Sequence, residues 1–278
     1  MNPALRAFRA NRLAMAGGVL LAGFALMALF APWLATHDPY AMEPDSMLAP
    51  PGLQHWLGAD QLGRDLFSRV VYGARISFHV GLVAVSIALC AGTLLGVLAG
   101  YLQGWVDAVI SRILDALFSI PDILLALAVM AVRGPEIGNV MLAIGIVYTP
   151  IFARIARGST LQTKQALYIE AARAVGSGPL TLMGRHILPA IATPLMVQIS
   201  LSFAFAILAE AALSFLGFGV EPDTPSWGIL LNQGKDIMDR AWWLAVFPGL
   251  AITLAVFSFN VIGDGLRDAL DPHRAPGA

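Results

Sequence analysis

Two carboxylates in this chain stand where a carboxylate is costly. Glu210 lies inside Ala206-Ile207-Leu208-Ala209-Glu210-Ala211-Ala212-Leu213, and Asp122 follows Pro121 within another apolar run. An acidic residue at a bilayer centre costs about 2.5–3.5 kcal/mol on insertion scales, so each must face protein or water. Two readings of Glu210 stand side by side: with Asp122 it lines a polar pathway, or it pairs with a neighbouring helix. Asp115, three residues from Arg112, reads as a helical ion pair. Two acids make no proton relay, which needs a chain of titratable groups or ion sites on broken helices. Hydrolytic chemistry has no residues to run it, because no Gly-x-Ser-x-Gly elbow, His-Glu-x-x-His pair or Cys/His cluster occurs. Gly234-Lys235 lacks the spacing and hydroxyl of a phosphate loop, so the chain is expected neither to bind ATP nor to be an enzyme. His37 and His55 are far apart without ligand spacing and read as loop residues, so no metal site is expected. Cys90, the sole cysteine, forms no intrachain disulfide and reads as a packing residue.

The elements that hold these residues follow from composition. The chain is 58% hydrophobic and 13% charged, with mean hydropathy +0.73, against about 25% charged residues in soluble domains. The apolar residues fall in blocks, and about 20 of them span the hydrocarbon core. Six spans are expected, at about 13–35, 76–100, 109–132, 138–156, 191–217 and 242–263. The first follows Arg6, Arg9 and Arg12 and is too long for a signal-peptide core, so it reads as a retained anchor. A formal charge of −1 gives no support to a nucleic-acid partner. Lys and Arg orient the spans: with the N-terminus inside, the 17 basic residues divide eleven inside to six outside. Both termini are then cytoplasmic. Trp33, Trp242 and Trp243 fall at the outer boundary and Trp105 at the inner one. The outer segments 36–75 and 218–241 are each expected to carry a short helix lying on that face, the first from about Asp60 to Tyr72.

Gly92, Gly96 and Gly100 form a groove on the second span that admits another helix, read as internal packing in preference to a subunit contact. Pro121 and Pro150 each remove a backbone hydrogen bond and kink their spans.

Residues 157–190 are the main functional clue. This polar segment between two spans holds or adjoins Arg154, Arg157, Lys164, Arg173 and Arg185, a surface aimed at a cytoplasmic partner. A helix is expected from about Leu161 to Val175, with Leu161, Leu167, Tyr168, Ala171, Ala172 and Val175 mostly on one side. Gly176 ends it, and Pro179 opens a second short helix through about His186. An amphipathic helix lying on lipid is the competing reading of that pattern.

Here a resemblance becomes specific. Glu170-Ala171-Ala172, three residues, Gly176, then Leu188-Pro189 resembles the EAA loop of prokaryotic ATP-binding-cassette importer permeases. That family's pattern has isoleucine ten positions after the glycine; here His186 stands there and Ile187 follows. His186-Ile187-Leu188-Pro189 resembles the variant of the dipeptide/oligopeptide/nickel branch. Leu57–Asp65 continuing to Tyr72–Ser77, Ala209–Gly217, and Gly263–Pro272 resemble that branch's C-type subunit. Together these stretches cover about residue 55 to the end.

The resemblance implies an all-α integral membrane protein, with six transmembrane helices and a cytoplasmic helix–Gly–helix coupling loop between spans 4 and 5. Its expected parts are an anchor with an extracytoplasmic segment (1–70), a permease domain (71–270) and a cytoplasmic tail (271–278). It implies a multi-pass protein of the bacterial cytoplasmic (inner) membrane that forms half of a pathway for dipeptides or oligopeptides. Implied partners are a B-type permease subunit, two cytoplasmic ATP-binding subunits and an extracytoplasmic solute-binding protein. The only implied cofactor is ATP-Mg on the partner ATPases. Glu170, Ala171, Ala172, Arg173 and Gly176 are the implied coupling residues; Glu210 and Asp122 remain pathway candidates. A nickel importer of the same architecture is the alternative. An ion-coupled secondary transporter is disfavoured by the absence of an inverted repeat and of mid-span ion ligands.

Overall fold

The computed structural model describes residues 11–270. Arg6, Arg9, Arg274 and the tail at 271–278 lie outside them. The described chain is helical, and its one β feature is an isolated bridge between Ala59 and Asp65. Nine helices position the site: α1 (Arg12–Leu29), α2 (Leu66–Leu102), α3 (Gly104–Phe118), α4 (Asp122–Arg133), α5 (Ile137–Thr163), α6 (Leu167–Ala174), α7 (Ala192–Phe215), α8 (Trp227–Lys235) and α9 (Trp243–Leu270). Of these, α1, α2, α5, α7 and α9 are long and apolar enough to cross a membrane, and α3 with α4 makes a sixth if the bent pair counts as one.

That pair corrects the third expected span. Instead of a kinked rod over 109–132, α3 and α4 meet at 91°. At about 1.5 Å per residue, neither the 15 residues of α3 nor the 12 of α4 reaches across a ~30 Å core alone. The break falls at Ser119-Ile120-Pro121. Pro121 has an extended ψ of 135° and no N–H, so it starts a new helix instead of bending the old one.

Two boundaries also move. The Asp60–Tyr72 stretch is not a separate surface helix; α2 is continuous from Leu66 for 37 residues. It starts on Asp65, whose Oδ2 accepts the Ser68 N–H at 2.8 Å. At the other end of the molecule, α5 runs through Thr163, so Leu161 belongs to the span and not to the loop helix. The short helix expected in 218–241 is present as α8, capped by the Ser226 hydroxyl.

The central seam is α2 against α5. A Cβ on Gly92 would fall 2.5 Å from the Thr149 carbonyl oxygen, and one on Gly100 2.9 Å from that of Arg157; Gly96 sits as tightly on Ala153. The small-residue groove is therefore filled within the chain, as internal packing requires. Around this seam one core gathers Ile144 and Phe152 with Ile169, Leu182 and Ile187 of the loop region. A second core joins α1, α7, α8 and α9 around Trp227, Leu244 and Phe259.

Two smaller expectations change. Trp243 is buried and donates its indole N–H to the Ala59 carbonyl at 3.2 Å, so it packs instead of forming a boundary belt. Trp33, Trp105 and Trp242 are exposed. Cys90 is exposed on α2, at the edge of an apolar groove shared with Leu180, Met183 and Leu188.

Candidate functional site

The loop between α5 and α7 is a helix–turn–helix elbow. α6 ends in a closed C-terminal motif: the Gly176 N–H donates to Arg173 O and the Ser177 N–H to Ala172 O, both at 3.0 Å. Gly176 has φ +87°, the left-handed conformation that glycine adopts without penalty. A Cβ there would meet nothing within 4 Å, so the residue is set by backbone conformation and not by crowding. Helical turns then resume at Pro179–Thr181 and pass into a π-helical stretch, Leu182–Ile187. Pro189 has no N–H to offer the preceding turn, which favours that wider winding.

The sequence pattern places the apolar residues of α6 mostly on one side. The structure divides them. Ile169 is fully buried against the α2–α5 core and anchors the elbow, together with Leu182 and Ile187. Leu167, Val175 and Leu180 are 83%, 83% and 82% exposed. Ala171, Glu170, Arg173 and Gly176 share that open surface, while Ala172 is half-buried. Among the described residues neither the Glu170 nor the Arg173 side chain has a hydrogen-bond or ion-pair partner. Isolated apolar surface residues are ordinary, but three on one small protrusion beside unpaired charges describe a contact face.

The basic residues also divide. Arg157 forms two 2.6 Å hydrogen bonds with Asp107, Arg154 reaches Asp115 at 2.8 Å, and Lys164 donates to the Tyr101 carbonyl at 2.7 Å. Asp115 thus pairs across helices with Arg154 and not with Arg112. These three cations tie α5 to α2 and α3, which leaves Arg173 and Arg185 as the outward basic residues of the elbow.

The two intramembrane acids do not converge. Asp122 opens α4 and lines a cavity of about 380 Å³ with Tyr148, Phe205, Leu208 and Ala209. The rest of its wall is apolar. Glu210 is fully buried, accepts the Ser214 hydroxyl at 2.8 Å and the Ser77 hydroxyl at 3.0 Å, and does not line that cavity. Ser77 belongs to α2, so this carboxylate joins two helices.

The end of the bundle opposite the elbow is expected from sequence to carry loop histidines, His37 and His55, and a short surface helix over about Asp60–Tyr72. It is instead a buried polar cluster. His55, Asp60, Arg64, Asp65 and Arg69 are each no more than 4% exposed. Arg64 Nε donates to Asp60 Oδ2 at 2.7 Å, Arg69 donates to the Pro39 carbonyl, and His55 Nδ1 lies 3.0 Å from Asp65 Oδ1. Burial alone would raise the Asp65 carboxyl, but hydrogen bonds from Ser68 and His55 outweigh it and hold its pKa below the ordinary carboxylate range. The Gly-Ala-Asp and Gly-Arg-Asp runs at 58–65 were the available signal, since acid–Arg repeats between glycines suit a turn closed by its own charges.

A helical bundle with five helices long and apolar enough to cross a membrane, and an elbow protruding from it, is the architecture of a multi-pass membrane protein. Residues 92–275 match the family model described as binding-protein-dependent transport system inner membrane component. Residues 2–51 match the N-terminal transmembrane domain of oligopeptide transport permease C. The chain belongs to this family, as a C-type permease subunit of ATP-binding-cassette importers. It is 44% identical over 269 residues to the dipeptide transport system permease protein DppC of Alkalihalophilus pseudofirmus, covering 97% of this chain and 88% of that protein. It is 48% identical over 268 residues to the glutathione transport system permease protein GsiD of Escherichia coli, covering 96% and 88%. Its fold is similar to a chain of the MetNI methionine ABC transporter in inward-facing conformations, with TM-score 0.61 and 18% identity over 73% of this chain and 97% of that one.

Proposed function

We propose that this chain forms half of a translocation pathway for short peptides and that its elbow seats in a cleft of a cytoplasmic ATPase subunit. The carrying observation is the elbow's division of labour. Ile169, Leu182 and Ile187 fasten it to the span core, while Leu167, Val175, Leu180 and the side chains of Glu170 and Arg173 face outward without partners among the described residues. A protrusion rigidly joined to α5 and α7 turns closure of a partner into tilting of those helices. ATP-Mg, bound by two partner ATPases, then acts as a ligand with unequal affinity for two states. In this reading the elbow and both termini are cytoplasmic, a B-type permease completes the pathway, and a solute-binding protein delivers substrate to the opposite face. Residues 1–70 serve as anchor and extracytoplasmic segment, 71–270 as the permease domain and 271–278 as the cytoplasmic tail. No step of ATP hydrolysis is assigned to this chain.

Peptide is favoured over nickel because the relatives named above are dipeptide and glutathione permeases. The cavity beside Asp122 suits that class: apolar walls accept side chains and backbone, and one carboxylate answers an ammonium group. The test is co-purification of the assembled transporter carrying Glu170→Arg. We expect the ATPases to dissociate, or their hydrolysis to lose its response to the loaded binding protein. ATPases that remain bound and respond normally would contradict the coupling role. Competition of labelled dipeptide uptake by unlabelled peptides and by Ni²⁺ separates the two substrates.

A further inference from the structure

The loop between α1 and α2 brings together residues that the sequence holds apart. His37, His55 and Asp65 each offer a ligand atom, and the three atoms lie within 4.8 Å of one another. His55 Nδ1 is 3.0 Å and His37 Nδ1 3.8 Å from Asp65 Oδ1. The two imidazole rings lie 5.0 Å apart. His55 and Asp65 are buried, while the His37 side chain is 28% exposed and gives access from solvent.

The surroundings of His55 suit a bound cation. Its Nδ1 faces the Asp65 carboxylate, and its Nε2 faces the Glu43 carboxylate at 3.7 Å. A neutral imidazole carries one N–H and cannot serve two acceptors. Its Nε2 is buried and has no hydrogen-bond partner. Among the described residues no Lys or Arg lies within 4.0 Å of Asp65 or Glu43. A cation held between Asp65 Oδ1 and the Nδ1 lone pairs of both histidines resolves the mismatch. The single N–H of His55 then sits on Nε2 and turns to Glu43, the carboxylate–histidine–metal relay found at metal centres.

We propose that His37, His55 and Asp65 form a resident divalent transition-metal site of the zinc class, with Glu43 as the outer carboxylate and water in the open fourth position. Two imidazoles and one carboxylate suit Zn²⁺, Ni²⁺ or Cu²⁺; Mg²⁺ and Ca²⁺ prefer all-oxygen sets. Metal–ligand lengths of about 2.0–2.2 Å place tetrahedral ligand atoms about 3.3–3.5 Å apart. The pair at 3.0 Å must therefore open slightly, and the half-open His37 ring must move inward. The ion pins the 36–65 segment to the first turn of α2. It lies apart from the cavity beside Asp122 and is not cargo.

The test uses the transporter assembled with its partner subunits on a tag without histidine, stripped with chelator and then titrated with ZnCl₂. We expect one Zn²⁺ per copy of this chain and a rise in thermal midpoint on addition. Co²⁺ in its place should give the visible bands of a tetrahedral site. His37→Ala should lose the ion, and Glu43→Gln should keep it at about tenfold weaker affinity. Metal content equal in wild type and His37→Ala, or no tetrahedral Co²⁺ spectrum in the wild type, would overturn the proposal. Stability that follows pH but ignores Zn²⁺ would also overturn it and leave a doubly donating, protonated His55. All readouts concern the metal and not uptake, so failure here leaves the transport reading untouched.

Discussion

The two ends of the bundle treat charge in opposite ways. Around Asp60 and Asp65, acids, arginines and a histidine are withdrawn from solvent and pair largely with one another, with the proposed cation completing His55. At the elbow, Glu170 and Arg173 stand in the open beside exposed Leu167, Val175 and Leu180. A buried charge left alone is strongly destabilising, so the first end is held together by mutual need. The second end makes no such demand. Its side chains are available to another polypeptide, and the strength of the protrusion comes from the buried anchors beneath it. One end is built to stay closed and the other to be completed.

This contrast can be broken by substitution. Gly176→Trp or Glu170→Arg at the open end should remove uptake entirely while membrane insertion and protein amount stay near wild type, read by transport assay and immunoblot. Insertion lost together with uptake would put the elbow in the closed class. Next in size is Gly96→Leu on the α2–α5 seam. It drives a side chain into the Ala153 backbone and should abolish folded protein, measured as monodisperse yield in detergent. Asp65→Ala at the closed end should cost about 2–4 kcal/mol, from a lost helix cap and an unpaired buried donor, seen as a lower thermal midpoint. The smallest effect is expected from Glu210→Gln. It keeps hydrogen-bonding capacity toward Ser77 and Ser214 and should cost about 1 kcal/mol, with uptake retained. Uptake lost at normal stability would return Glu210 to the pathway.

Legibility followed the range of the interactions. The elbow could be read because its signals are local: a glycine that must take positive φ, a proline that opens the next helix, and a motif of known order. Its buried anchor could not be read, because Ile169 is selected by where α2 and α5 lie. The α3–α4 break was underestimated because a proline in a span is usually accommodated by a kink. The polar cluster was missed since His37, His55 and Asp65 have no periodicity, and only the path of the loop over α2 unites them.

Composition and apolar block length alone determined that this chain lies in a membrane as a set of helices, because a bilayer leaves the backbone few other ways to satisfy its hydrogen bonds. Glycine and proline placement determined the elbow, since those residues act on their own dihedral angles. Tertiary structure decided which charges are spent inside and which remain for partners. Arg154, Arg157 and Lys164 look equivalent to Arg173 in the sequence, yet they differ because acids and carbonyls of α2 and α3 happen to lie within reach. Pairing of that kind is set by distance in space, which spacing along the chain does not encode.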